Sequence, residues 1–444
     1  MDLFKLPKPD FDKVSKDKSE IFDELFSNRL LIPTIKVIDD ENYYYWDKLK
    51  HKTPADLEPE EFWMMVKFIR KSSAIKTVIK DDSGNFFTWV KLPRLEEVFH
   101  NIDLNTGGNL FTNKDDLSEE EKLKFIARGV MEESIASSQL EGAHTTRKIA
   151  KQFLREGRKP ANNSERMILN NYQTMLAIEN EYKDRKLDLA MLFELHNMLT
   201  KGTIPEKEEG RFRKDEEEIV VQDKITDVIY HVPPKIDFVE KEIADLIKFA
   251  NDETDELFVH PIIKAIMLHF WIGYLHPFTD GNGRIARLLF YWYLLRHGYW
   301  AFAYLPISKI IKRSPAQYGR AYVYSEQDDL DLTYFIDYNV RKIELAIKDF
   351  ESFLIKQSKT NKKAYIILKK EYGFNNRQIN LLQFFWKKPE DRTSIKVHMN
   401  INNIARLTSY HDLKDLEKKG FLYKIKEGRD VFYYATGKIK ELQF

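Results

Sequence analysis

The chain has 444 residues, of which 43% are hydrophobic, 32% charged and 13% aromatic, and its formal net charge is +1. A length of this order holds about two to four domains, the composition suits packed cores rather than disorder, and the near-neutral balance gives the whole molecule no general attraction to nucleic acid or membrane. With no cysteine, disulfide frameworks, thiolate zinc sites and cysteine nucleophiles are excluded, which fits a reducing cytoplasm.

The first ten residues hold no apolar run and do not read as a secretion signal. Residues 1–115 form a first region, read as helical from the apolar spacing of Glu60 to Ile69. The turn cluster Asn105-Thr-Gly-Gly-Asn109 closes it. A long helix is expected from Ser118, which forms a capping box with Glu121, and runs to Gly142 as its C-terminal stop. Helical periodicity resumes over 164–182, 187–200, 236–251 and 261–275. The last of these carries Lys264 and His269 and is too short to span a bilayer. Within 210–234, Ile219 to Val221 and Val228 to Tyr230 flank a polar stretch and predict a β-hairpin among helices. A helix over 284–296 should stop at Gly298, and 331–356 is helical again.

Residues 376–444 differ in charge. They carry 14 Lys and Arg against 8 Asp and Glu, whereas the rest of the chain carries 57 against 62. Three short helices (379–385, 395–404, 407–419) precede two strand-like runs, 421–425 and 431–434, around a turn at 426–429. That order resembles a winged helix-turn-helix.

Chemistry concentrates in His276-Pro-Phe-Thr-Asp280-Gly-Asn282-Gly-Arg284-Ile-Ala-Arg287. Pro277 takes the chain out of the preceding helix, and Gly281-Asn282-Gly283 allows unusual dihedrals and close approach of a ligand to the backbone. A new helix beginning near Gly283 turns its free N–H groups toward the loop, which makes an anion site. Arg284 and Arg287 are spaced to grip phosphate oxygens. Asp280 is suited to hold Mg²⁺ against phosphates, and His276 is the group whose ordinary pKa fits general-base work near neutrality. The pattern points to phosphoryl or nucleotidyl transfer.

At every defined position this segment resembles the Fic (Fido) signature HPFx[D/E]GNGRxxR. The resemblance extends over about 118–345 and implies a mainly α fold: an all-helical Fic core with a small β-hairpin flap, to which the C-terminal region adds a winged helix (α+β). Domains are accordingly expected at 1–115 (N-terminal helical region), 116–345 (Fic domain with helix 118–142 and flap 210–234), 346–375 (helical linker) and 376–444 (winged helix). The resemblance also implies a protein adenylyltransferase that uses ATP and Mg²⁺. His276 would deprotonate a Tyr, Thr or Ser hydroxyl of a target protein, and Asp280 would place the metal. Gly281, Asn282, Gly283 and Arg284 would cradle the phosphates, Arg287 would bind the γ-phosphate, and Tyr318 would meet the adenosine. The hairpin would align the target's side chain by main-chain pairing.

Ser137-Ser-Gln-Leu-Glu141-Gly142 matches the family's inhibitory pattern [S/T]xxxE[G/N]. A carboxylate at a helix C-terminus opposes the dipole and needs a cation; Arg287 is the one expected, so Glu141 and ATP would compete for it. Alternatives stay open. The site could hydrolyse AMP from a modified protein, accept another donor such as CDP-choline, or sense a nucleotide for a DNA-binding regulator. A metallohydrolase built on His196, His260, His269 and His276 is disfavoured, because their spacing matches no common ligand pattern. In the last region Arg406, Lys414, Lys418, Lys419 and Arg429 could meet DNA phosphates, although Asp412, Asp415 and Glu417 share the same helix. The partners in view are a target protein, DNA and a second copy of the chain, with no membrane, in the cytoplasm.

Overall fold

The computed structural model describes residues 3–10, 30–107, 119–223, 226–254, 258–428 and 430–441. Ser118 of the expected capping box, Asn109 and Arg429 lie outside these residues.

Two helices form the centre. Helix α9 (Pro261–Leu275) and helix α10 (Asn282–Arg296) are buried on every face, with 13 of 15 residues buried in each, most of them apolar. A helix without a solvated face sits inside others. Around them pack α4 (Glu119–Leu140), α6 (Asn163–Ala177), α7 (Leu189–Thr200), α8 (Ile236–Ala250), α11 (Ile307–Ile311) and α12 (Pro315–Gln327).

The N-terminal region is built on the same core rather than beside it. Its helices α1 (Leu31–Glu41), α2 (Pro59–Ser73) and α3 (Arg94–Ile102) contribute Ile35, Phe62, Trp63 and Leu95 to one continuous apolar cluster with α9 and α10. Arg70 is buried and bonds both Asp39, at 2.6 Å, and Tyr334 of the core, at 2.9 Å. The expectation of a purely helical region is corrected by an antiparallel hairpin, β1 (Ala74–Lys80) and β2 (Phe86–Val90). Its turn is fixed by Asp81, whose side chain accepts from Ser83 N and Asn85 N, and by Gly84 at φ 84°. Phe87 on β2 meets Phe270 of α9 edge to face at 5.1 Å.

Between α4 and α6 the chain forms a helix not anticipated from the sequence, α5 (Arg147–Glu156), capped by Thr146 and ended by Gly157 at φ 57°. The expected flap is present but short. Strand β3 (Val221–Gln222) pairs with β4 (Ile229–His231) with a register slip, and Leu3 bridges Ile229 in parallel, with Phe4 N donating to Ile229 O at 2.8 Å.

The expected 346–375 linker is not a separate element. Helix α13 runs unbroken from Thr333 to Tyr372, 40 residues, and ends at Gly373 with φ 67°. Beyond it, α14 (Asn376–Lys387), α15 (Ile395–Asn402) and α16 (Arg406–Lys418) enclose a second core with a three-stranded sheet. Strand β7 (Asp430–Ala435) lies between β6 (Leu422–Glu427) and β5 (Arg392–Thr393). No helix among the described residues is long and apolar enough to cross a membrane.

Candidate active site

His276 caps the C-terminus of α9 in the left-handed region (φ 46°, ψ 55°), so Pro277 leaves the helix axis and the loop turns back toward α10. The ring Nδ1 lies 3.2 Å from Gly273 O. A carbonyl only accepts, so in the neutral ring Nδ1 carries the proton and Nε2 keeps its lone pair. Burial, with the neighbouring His231 adding to it, lowers the His276 pKa to about 4. The imidazole is therefore an unprotonated base at neutral pH.

The loop is fixed from several directions. Asn282 Oδ1 accepts from Phe278 N at 2.9 Å and its Nδ2 donates to Phe278 O at 2.8 Å, closing the loop on itself. Gly281 has φ 87°, and a side chain there would meet Thr200 at 3.0 Å. His196 of α7 stacks on Phe278 with ring centroids 3.8 Å apart. Its Nδ1 accepts from Gly210 N and its Nε2 donates to Asp280 O, each at 3.0 Å. That bonding needs a neutral ring, and burial lowers the His196 pKa to about 4. Arg213 joins the flap to the loop: its Nε donates to His276 O at 2.9 Å, its N–H to Pro277 O at 2.8 Å and its guanidinium to Pro234 O. On β4, His231 lies between Glu326 (2.6 Å) and Tyr274 O (2.7 Å), two acceptors. Burial works against a charged ring, yet Glu326 and the carbonyl raise its pKa.

The first turn of α10 supplies the anion cradle. Arg284 is buried, donating to Leu199 O at 3.0 Å and to Asp280 Oδ2 at 3.1 Å. Arg287 is also buried but faces another helix. Its Nε donates to Ser137 Oγ at 2.9 Å, and Nη2 reaches Ser137 O at 3.1 Å and Glu141 Oε1 at 2.8 Å. Burial opposes its charge, and the Glu141 carboxylate more than offsets this, so its pKa is raised. Glu141 rests on Gly283: a Cβ at that position would stand 2.1 Å from Glu141 Oε1. Its carboxylate therefore lies at the helix N-terminus, where α10 offers N–H groups and positive potential. Helix α4 is anchored about two turns before Glu141 by Glu133, which accepts from Tyr291 OH at 2.8 Å and from Ser308 N at 2.9 Å.

Tyr318 sits in an aromatic cluster with His269, Tyr322 and Phe335, its hydroxyl 2.8 Å from His269 Nε2. The four histidines do not converge. His260 caps α9 through Ile262 N and bonds Asp103, while His196, His269 and His276 have the separate partners given above. Among the described residues no three His, Cys, Asp or Glu side chains stand close enough to hold a metal ion. Asp280 is a single half-exposed carboxylate beside the cradle. That donor set fits Mg²⁺ carried in with phosphates, since this ion is commonly held by one or two carboxylates, water and substrate oxygens.

Residues 186–294, from the start of α7 through the motif to α10, match the family model described as Fic/DOC family. The chain carries a Fic/DOC domain. Among curated proteins, part of the chain is 33% identical over 117 residues to the protein adenylyltransferase Fic of Nematostella vectensis, 26% of this chain and 25% of that protein. A 67-residue stretch is 39% identical to protein adenylyltransferase fic-1 of Caenorhabditis elegans, 15% of this chain and 13% of that one. The chain thus spans a quarter or less of the length of these relatives. A solved Fic family protein from Desulfovibrio desulfuricans G20 superposes with a TM-score of 0.49 at 19% identity, covering 78% of this chain and 97% of that one. The Fic domain match encloses His276 to Arg287, His196 and the flap, but not Ser137, Glu141 or Tyr318.

Sequence reasoning missed His196, His231 and Arg213 as organisers of the site. His196 appeared only as an improbable metal ligand, yet it lies 84 residues from the Asp280 carbonyl it holds. The available signal was the pair of Gly210-Arg-Phe-Arg213 and Tyr230-His231 bordering the flap.

Proposed function

We propose that the chain is a protein adenylyltransferase, moving AMP from ATP to a Tyr, Thr or Ser hydroxyl of a target protein, and that Glu141 restrains it. The observation that carries this reading is the pairing of a neutral His276, whose Nε2 has no partner among the described residues, with a cradle at α10 whose anion position already holds the Glu141 carboxylate. Nε2 takes the proton of the target hydroxyl while its oxygen attacks the α-phosphate of ATP; the bond to the β-phosphate breaks and pyrophosphate leaves. The N–H groups of 281–283 and Arg284 position the phosphates, and Asp280 would hold Mg²⁺, which supplies charge neutralisation there. Arg287 is the ligand for the γ-phosphate once Glu141 gives it up. Tyr318 closes the adenosine side. The relatives named above support the reaction class; the target is a further protein.

Intact-mass spectrometry after incubation with ATP and Mg²⁺ tests the assignments together. An AMP adduct is expected in the wild type, absent in His276→Ala and increased about tenfold in Glu141→Gly, which corresponds to a restraint of about 1.4 kcal/mol. Equal or lower adduct in Glu141→Gly refutes the restraint. Release of AMP from a premodified target would favour the hydrolase.

A second reading concerns the C-terminal region, and the packing of α16 favours it. Of the acids that spoil this helix for DNA in the sequence, Asp412 points inward, and the partly exposed Asp415 and Glu417 are each paired with a lysine. Asp412 is buried against Arg377, Asn375 and His398. Asp415 accepts from Gln378 and Lys419, both at 2.9 Å, and Glu417 lies 3.1 Å from Lys424. The exposed side carries Arg406, Lys414 and Lys418. This is the charge pattern of a winged helix that lays α16 along duplex DNA. Gel retardation by the full chain, weakening linearly in log salt, is expected; salt-independent or absent retardation leaves the region a protein-docking module.

A further inference from the structure

A cavity of about 160 Å³ lies between α5 and the C-terminal region, well away from the motif loop. Its walls carry Lys148, Lys151 and Arg155 from α5 and Arg377, Lys388 and Arg392 from the other side. Two carboxylates, Glu156 and Asp391, share the lining with these six cations. The cations differ in how they are satisfied. Lys151 is paired with Glu132 of α4. Arg377 is spent on Asp412, and Arg392 bridges Glu156 and Glu427. Arg155 is different. Its guanidinium lies over the Phe384 ring at 5.0 Å, and no carboxylate or carbonyl of the described residues accepts a hydrogen bond from it. Burial lowers its pKa, with Asp391 only partly opposing. A half-buried guanidinium with no protein acceptor leaves its donors to solvent or to an anion that enters the cavity.

The rest of the lining is apolar: Leu381, Phe384, Val397 and Ile401 form one wall. A cavity with a cationic end and an aromatic-aliphatic wall suits a ligand with both characters. We propose that this cavity binds a small phosphomonoester, its phosphate on Arg155 with Lys148 and Lys388, and its apolar body against Phe384 and Ile401. Arginine offers a planar fork to phosphate oxygens, and the flanking lysines add charge without fixing geometry. The location has a structural consequence. Helix α5 also holds α4 through Arg147 and Lys151 on Glu132, and burial notwithstanding these two cations bring the Glu132 pKa down to about 2. The proposed ligand would therefore touch the helix next to α4, which Glu141 directly follows. The binding claim is independent of the transferase reading.

The test is calorimetric titration of the full chain with two probes, phenyl phosphate and inorganic phosphate. Because α10 is itself an anion site, the titrations are run in an Arg287→Met background as well as in the wild type. Phenyl phosphate should bind in both and more tightly than inorganic phosphate. Arg155→Met should weaken it about tenfold, the loss of one charge-assisted contact, and Arg155→Lys should retain part of the affinity. Unchanged affinity in Arg155→Met overturns the assignment, as does absence of binding in the wild type. Equal affinity for the two probes refutes the apolar half of the site. Loss of binding in Arg287→Met alone places the anion at α10 instead.

Discussion

In the loop 277–283 both ends of the Asn282 amide are bonded to the Phe278 backbone, His196 holds the Asp280 carbonyl, and Arg213 holds two carbonyls of the neighbouring turn. The flap above it has two strands of two and three residues with a slipped register, and among the described residues Leu3 and Phe4 bond its outer edge at Ile229. The two regions touch, yet one is over-determined and the other barely specified. On the proposed function the difference follows what each would do. A base and a phosphate cradle lose rate with small displacements, which redundant supports prevent. A surface proposed to pair with a target's main chain would need free N–H and C=O groups, which a short, slipped hairpin leaves.

Substitutions can break this comparison from the rigid side first. His276→Ala should cost about two to four orders of magnitude in AMP transfer, the usual range for a general base, with no loss of thermal stability. Normal transfer by that variant would end the assignment of the base. Asn282→Ala strands a buried N–H and a buried carbonyl of Phe278, so a destabilisation of about 2 kcal/mol is expected in denaturant unfolding. If the loop is instead held mainly by His196, the measured loss will be near zero. The pH profile sharpens the same point. The His276 pKa is lowered to about 4, so the base is unprotonated above that value. Transfer should stay level from neutrality downward and fall only as pH passes through about 4; an acid limb near 6.5 would show an ordinary, solvated imidazole. At the junction of the two, Arg213→Met frees the His276 carbonyl as well as Pro234 of the flap, so it should raise the KM for the target several-fold and lower kcat together; a change in KM alone would show that the loop does not depend on it. The smallest effect belongs to the distant basic face, where Lys414→Ala should reduce the salt slope of DNA binding by about one.

Much of this was legible in the sequence because the information is local. His276 to Arg287 is contiguous, and the helices around it announce themselves by period. The flap and the three helices with a hairpin at the C-terminal end follow from turn residues between apolar runs. Glu141 was legible by pattern, and its seat on Gly283 gives that pattern a steric content: only a residue without Cβ leaves room for the carboxylate. What escaped is non-local or short. The β1–β2 hairpin was passed over although Asp81-Asp-Ser-Gly84 marks its turn. Helix α5 is ten residues long and strongly charged, so its apolar face, Ala150, Phe153 and Leu154, is thin. Helix over 331–356 and a helical linker over 346–375 were both expected, but not that they are one element: the polar residues 357–363 break the apolar period without breaking the helix. The inward orientation of Asp412 was hidden for the opposite reason, since composition alone gives a charge no direction.

Helix α13 contains neither glycine nor proline from Thr333 to Tyr372, so it has none of the usual places to bend. Forty residues at 1.5 Å each make a rod of about 60 Å. One end carries Phe335 against His269 and Tyr322 beside Tyr318, and the other plants Leu368 in the core of the basic C-terminal region. The same continuous helix thus takes part in both apolar cores, so the aromatic cluster around Tyr318 and the C-terminal core share one element with no glycine or proline between them.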